Sequence, residues 1–426
     1  MKNGNQKVSA IRGISLFMNF FQIIFAYYIV KPVSRSIYLE YFHADKLPYV
    51  WIASALLLGI FMPIYGRLID KHDRRKVVIL SCQLFCIILL IFFMLFRSGN
   101  TMPMVAAGFY ITIDIMSVVL VEQFWSLANS TYESQTGSRW YGVIGSGGLV
   151  GGILGGLAAS WLIRETALNS YDLILISSFL LFSLGIYAAL LISLDIYREE
   201  DIQVRPKGLD KTLTFRHIFS NRYVLLITTT ILFAQLVEPI VEYQFMSFVE
   251  HGYPDRELRT AYLSTFLSIL GLVALFINLL ITPLVLRFVG AIWGLLLQPV
   301  MLFVASGYFS VNPGLNTGAI MKICDRGLSY SVNRASKEML YVPVDPKFIY
   351  RVKAWIDMFG YRVFKIIGAL LVLSLTQWFG IVWASETFSY LVMPVCLVWM
   401  LAAASLKPDY QKLCRREQIA QLARLT

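Results

Sequence analysis

Apolar runs of about twenty residues recur along the chain, and a helix of that length crosses the hydrocarbon core of a bilayer. They predict roughly twelve helices: Ile11–Val30, Pro48–Tyr65, Val77–Phe96, Met102–Ala128, Tyr141–Ile163, Tyr171–Leu194, Tyr223–Val249, Ala261–Leu286, Val289–Val311, Gly314–Asn333, Ala354–Phe379 and Gly380–Leu406. Any one run also fits a buried helix of a soluble protein. Together they exclude that reading, because 57% of the 426 residues are hydrophobic and 15% are charged, too few to clothe a globule in water. The fold class is an all-α polytopic membrane protein.

The net charge of +11 is distributed by loop. Lys71, Arg74, Arg75 and Lys76 follow the second run, Arg198, Arg205, Lys207, Lys211 and Arg216 crowd one long polar segment, and Lys407, Lys412, Arg415 and Arg416 lie near the end. The opposite loops, such as "HGYPDREL" from His251 to Leu258, mix both signs. This asymmetry is the positive-inside pattern and places both termini in the cytoplasm. It accounts for the basic balance without nucleic acid as a partner. The N-terminal segment leads straight into a helix too long for a cleavable leader. The five cysteines lack metal or disulfide spacing, and Cys82 and Cys86 read as packing residues. His43, His72, His217 and His251 have no spaced partners, so no catalytic constellation, metal site or cofactor site is expected.

The largest polar interruption, Asp195–Arg222, divides the runs into six and six. The expected domains are an N-terminal bundle over 1–194, a cytoplasmic linker over 195–222, a second bundle over 223–406 and a tail over 407–426. This layout, with "GRLIDKHDRRKVV" (Gly66–Val78) after the second helix, resembles the major facilitator superfamily, whose signature has glycine, then aspartate four residues on, then a basic cluster. Gly66, Asp70, Arg74 and Arg75 fill those places. In physical terms Gly66 permits close helix approach, and Asp70 can cap a helix end and pair with arginine in one access state. A simpler role, orienting charges in the membrane, is also open. In "GVIGSGGLVGGILGGLAAS" (Gly142–Ser160) glycines repeat at four-residue steps in an apolar run, the spacing of closely packed membrane helices.

Ionisable groups at membrane depth are costly and point to function. The acids are Asp114 and Glu122 in the fourth helix, Glu238 and Glu242 one turn apart in the seventh, and Asp357 in the eleventh. The bases are Lys31 and Arg35 at the end of the first helix, Lys322, Arg326 and Arg334 in or after the tenth, and Lys353, Arg362 and Lys365 along the eleventh. Internal pairing is the plain alternative: Lys353 is spaced to bridge Asp357, and Arg334 to bridge Glu338. As a set, bases from both halves point to a cationic cavity and an anionic substrate, and nearby tyrosines suit an aromatic moiety.

Three blocks carry a narrower likeness. "NRASKEMLYVPVDPKFIYRVKAWIDMFGYRVFKIIGALL" (Asn333–Leu371), "YYIVKPVSRSIYLEYF" (Tyr27–Phe42) and "EQFWSLANSTYESQTGSRWYGVIGSGG" (Glu122–Gly148), with the shorter "QLVEPIVEY", resemble the ADP/ATP translocases of plastids and obligate intracellular bacteria. The resemblance implies alternating-access transport of nucleotide in a bacterial inner membrane, by a monomer, with Lys31, Glu238 and Lys353 on the family's charged positions. Asp114 lies near its fourth-helix acid, and Glu242 stands close to where a lysine is expected. The resulting assignment gives substrate binding to Lys31, Arg35, Arg334, Lys337 and Lys353. Proton coupling or gating falls to Asp114, Glu122, Glu238, Glu242 and Asp357, and the conformational motif to Gly66, Asp70, Arg74 and Arg75. Pro343 and Pro346 are expected to break the chain, with Lys337, Lys347, Arg351 and Lys353 lining an electrostatic funnel, or else an ordinary basic loop. The other functional readings are a carrier of another organic anion, such as a carboxylate siderophore, and a non-transporting receptor on the same fold.

Overall fold

The computed structural model describes residues 2–71, 74–99, 102–131, 134–194, 196, 221–344, 352–353, 355–378 and 385–425. Within them, side chains are described outside 2–9, 63–64, 66–71, 74–75, 130–131, 134–139, 357–358 and 416–425. The described residues form twelve helical runs, ten of them long and apolar enough to cross a membrane. In chain order α1 is Lys2–Tyr41, α2 Leu47–Lys71, α3 Arg74–Arg97, α4 Pro103–Thr131, α5 Ser134–Glu165, α6 Ser170–Ser193 and α7 Arg222–Gly252. Next, α8 runs Arg256–Phe276 and continues through a π-helical turn, Ile277–Ile281, into Thr282–Phe288. After α9, Ala291–Val311, α10 comprises Leu315–Leu328, a π-helical turn at Ser329–Asn333, and Arg334–Tyr341. The turn Ile356–Gly360, Tyr361–Leu373 and a further turn Ser374–Trp378 make α11, and α12 is Ser389–Leu425.

Local chemistry fixes several helix ends. Asn169 caps α6, accepting from Tyr171 N–H at 2.9 Å, while Asp172 accepts from Asn169 N–H at 2.9 Å in return. Asn221 caps α7 through Tyr223 N–H at 3.1 Å. Gly290, at φ 92, supplies the left-handed residue that separates α8 from α9, so the ninth helix begins at Ala291 rather than Val289.

Three helices outrun their expected ends. α1 passes Pro32 and reaches Tyr41, because a proline inside a membrane helix is tolerated where neighbouring groups satisfy the backbone, and Lys31 and Arg35 therefore lie within the helix. α10 extends to Tyr341, so Lys337 and Glu338 are helical and the chain turns only at 342–344. α12 carries Pro394 and Pro408 and continues through 407–425. Pro346, Lys347, Arg351 and most of 195–222 lie outside the described residues.

The chain forms two compact units. The first comprises Met1–His43, Ile60–Arg205 and Tyr253–Gly271, and the second Ala44–Gly59, Pro206–Gly252 and Leu272–Thr426. Each thus takes in a segment from across the central division, the first half of α8 in one case and the first half of α2 in the other.

In the first unit α5 lies along α1 on its glycines. A Cβ at Gly147, Gly151 or Gly155 would stand 2.5 Å from Phe17 O, 2.5 Å from Phe21 O and 2.7 Å from Phe25 O respectively. The absence of side chains at four-residue steps lets the two backbones touch, as the spacing predicts. Cys82 and Cys86 are buried in the apolar core of the same unit. There the head of α8 is anchored by Arg256, which pairs with Glu40 at 3.0 Å and stacks 4.1 Å over the ring of Tyr171. Glu257 accepts from Ser170 N–H at 2.7 Å, and Arg259 donates to Ser36 O at 2.9 Å. The core of the second unit gathers Tyr223, Val224, Ile227, Leu295, Leu340, Ile356 and Leu406.

Candidate functional site

In the first unit Lys31 and Arg35 of α1 sit one turn apart on a tyrosine-rich surface. Lys31 Nζ lies 5.3 Å from the ring centre of Tyr27 and 5.2 Å from that of Tyr28, close enough for cation–π attraction. Tyr28 is seated against Gly152 of α5, where a Cβ would fall 3.3 Å from the ring. One turn on, Arg35 is buried, donates to Asp114 Oδ1 at 2.5 Å and stacks 4.1 Å over Tyr110. Asp114 and Tyr110 are themselves one turn apart on α4, so a single helix face presents both a carboxylate and a ring to the guanidinium. Arg35 is therefore paired, and Lys31 is the more accessible of the two bases. Glu122, two turns beyond Asp114 on α4, is exposed.

The second unit holds a larger network. Lys322, on α10, lies 2.7 Å from Glu242 on α7 and 3.3 Å from Asp325 one turn on. Gln298 of α9 donates to the Asp325 backbone carbonyl at 3.0 Å, and Asn333 donates to Gln298 Oε1. Arg326 reaches Asp325 at 3.6 Å and pairs with Glu238; Lys365 of α11 meets the same Glu238 oxygen at 3.3 Å. Close packing sets this up. Gly368, less than a turn beyond Lys365, would place a Cβ 2.4 Å from Leu236 O and 3.1 Å from Pro239 Cγ, so α11 lies directly on α7 beside Glu238. Three acids and three bases balance within these six side chains. Fully buried carboxylates and amines are tolerated only in such paired, hydrogen-bonded form.

Further along α10, Glu338 pairs with Lys353 at 2.7 Å, and the lysine lies 5.4 Å from the ring of Tyr341. Glu338, spaced to bridge Arg334, thus meets Lys353, while the pairing of Lys353 with Asp357 falls on a side chain outside those described. Lys337 donates to the Tyr361 hydroxyl, and Arg334 is exposed. The side chains of Asp357, Gly66, Asp70, Arg74 and Arg75 lie outside those described.

The structure thus brings Arg35 together with Asp114, and Glu238 and Glu242 into one network, while Lys31, Lys337 and Lys353 each lie beside a tyrosine. Sequence reasoning left out Asp325 and did not assign Lys322, Arg326 or Lys365 to the site. The signal for three of them was present: Lys322, Asp325 and Arg326 stand at i, i+3 and i+4, on one helix face within the tenth apolar run.

A profile described as Major Facilitator Superfamily matches residues 16–324, and one described as TLC ATP/ADP transporter matches residues 313–410. The chain is 24% identical over 358 residues to ADP,ATP carrier protein 1 of Chlamydia pneumoniae, covering 74% of this chain and 70% of that protein. It is likewise 24% identical over 353 residues to ADP,ATP carrier protein 1 of Rickettsia typhi, covering 73% and 70%. Among solved structures, the nucleoside transporter NupG superposes with a TM-score of 0.63 at 16% identity, over 94% of this chain and 98% of that one. A bacterial homologue of the iron transporter ferroportin, in an inward-facing state, gives 0.62 at 15% identity, over 95% and 98%. These likenesses give the fold.

Proposed function

The chain belongs to the Major Facilitator Superfamily, and on that premise we propose that it is a secondary active transporter of nucleotides or related phosphorylated metabolites, working by alternating access. The observation that carries the substrate class is Lys31 set beside the rings of Tyr27 and Tyr28. A lysine beside aromatic faces suits a ligand that is anionic at one end and a flat ring at the other. Lys337 beside Tyr361 and Lys353 beside Tyr341 repeat the pairing in the second unit. The similarity to ADP,ATP carrier proteins supports the same class.

In this reading Lys31, Lys337 and Lys353 attract and hold phosphate, Arg334 adds to the approach, and Arg35 is held in place by Asp114. Glu122, Glu238, Glu242 and Asp357 serve gating or proton coupling, and Gly66, Asp70, Arg74 and Arg75 the change of access. Movement is by exchange for a counter-anion or with protons, across a bacterial cytoplasmic membrane, with both termini cytoplasmic.

The test is uptake of labelled ATP into proteoliposomes containing the purified protein, chased with ATP, ADP, inorganic phosphate and citrate. Saturable uptake inhibited by unlabelled nucleotide is expected. Uptake inhibited by citrate and indifferent to nucleotide would instead establish a carboxylate carrier, and absence of flux for every anion would establish a receptor.

A further inference from the structure

Two cations of the second unit converge on one carboxylate oxygen. Arg326, from α10, and Lys365, from α11, both meet Oε1 of Glu238 on α7. The remaining bases and acids of the network are differently placed. Lys322 is nearly inaccessible, with 5% of its side chain exposed, and sits between two carboxylates, Glu242 and Asp325. Arg326 also faces Asp325, at the longer distance of 3.6 Å. Exposure rises through the triad from Glu238 at 10% to Arg326 at 17% and Lys365 at 36%, so it is open on the lysine side.

One oxygen bridging a guanidinium and an ammonium is also how a phosphate oxygen is held by protein cations. The glutamate fills that role from within the chain. Pro239 follows it directly, and a proline inside a helix removes one backbone hydrogen bond, which loosens the turn that carries Glu238. The carboxylate therefore has a place to swing from.

We propose that Arg326 and Lys365 form an anion-binding site for a phosphate group, and that Glu238 is its internal competitor, holding both bases until an incoming anion displaces it. The site rests on the transporter reading above only for the source of that phosphate. The competition has a consequence for the cycle. With no ligand, Glu238 partners both bases, and with Lys322, Glu242 and Asp325 the six side chains carry no net charge, so no buried charge is left unpaired. A ligand binds only by exceeding what Glu238 already supplies, and apparent affinity is reduced accordingly.

The experiment is equilibrium binding of tripolyphosphate and of ATP to purified wild type, E238Q, K365Q and E238Q/K365Q, with thermal unfolding as the control for folding. E238Q removes the competing charge at nearly constant shape and should bind tripolyphosphate at least about tenfold more tightly than wild type. K365Q should bind more weakly, and the double variant should lose the gain. E238D, whose shorter side chain reaches one base less well, provides the same comparison with a smaller gain if E238Q does not fold. Equal or weaker binding by folded E238Q, or a gain that survives in E238Q/K365Q, would overturn the proposal. A gain for tripolyphosphate in a protein that carries no ATP would sink the nucleotide reading while sustaining the anion site. ATP transport without the gain would do the reverse.

Discussion

Lys322 Nζ on α10 lies 2.7 Å from a carboxylate oxygen of Glu242 on α7, and no more than 5% of the lysine side chain is exposed. Eighty residues of chain separate the two partners. Removing one member of a buried pair strands the other, which is more damaging than removing both.

K322Q should therefore destabilise the protein by about 3 kcal/mol, while K322Q/E242Q should recover a measurable part of that loss. Thermal unfolding of the purified variants in one detergent is the measurement. Additive losses in the double variant would show the contact to be without energetic coupling.

At Arg35 the requirement is shape as well as charge, because the guanidinium serves the carboxylate of Asp114 and the ring of Tyr110 at once. R35K keeps the charge and loses the planar fork, so transport should fall by about tenfold or more. D114N should fall comparably. Rates within twofold of wild type for R35K would reduce the pair to a bare charge contact.

The glycines of α5 divide cleanly. G151A places a Cβ where it would lie 2.5 Å from Phe21 O, and the helices must separate, a loss of about 1–3 kcal/mol. At Gly142 and Gly145 a Cβ meets nothing within 4 Å, so G145A should be neutral or stabilising by up to about 1 kcal/mol. Melting temperatures of the two variants should move in opposite directions, or only the first should move.

Lys31 offers the direct test of substrate charge. K31Q should weaken ATP binding by about tenfold or more, since charge-assisted contacts contribute about 1.5–3 kcal/mol each. Y28A should weaken ATP binding while sparing tripolyphosphate, which has no ring to stack. Identical losses for both ligands in Y28A would place the tyrosine in support of Lys31 alone.

Orientation follows from the basic loops. Reporter tags within Asp195–Arg222 and after Leu406 should both be found on the cytoplasmic side. A tag at either place reading outside would reverse the assignment.

Much of the fold was legible because the bilayer imposes a length and a composition on every spanning helix, and the runs from Ile11 to Leu406 carry both. The glycine steps of α5 were equally readable, since close backbone approach requires the missing side chain at fixed intervals. Other features depend on distant chain. The expected ends at Val30 and Leu406 followed the apolar runs, yet α1 and α12 continue past them through Pro32 and Pro408. That Lys353 meets Glu338, fifteen residues earlier, is a pairing beyond helical spacing, which no local pattern records. Asp325 lies in an amphipathic helix segment, and its place in the network depends on Gln298 of α9 and on Lys322 beside Glu242 of α7, partners from distant chain. The pairing of Arg256 with Glu40 joins residues more than two hundred positions apart and left no local trace.

Among the described residues, the four π-helical turns, at Ile277–Ile281, Ser329–Asn333, Ile356–Gly360 and Ser374–Trp378, all fall in the second unit. Each accommodates one residue more than the α-helical ladder around it. Such a turn is a place where a lineage can gain or lose a single codon: the wide turn takes up the extra residue, so dropping it restores plain α-helix locally and leaves the faces on either side close to their former phase. Between Arg326 and Lys337 such a loss would keep the face bearing Lys337 turned toward Tyr361. Single-residue length variation among related chains is thus structurally permitted at these four points without re-aiming the side chains that follow.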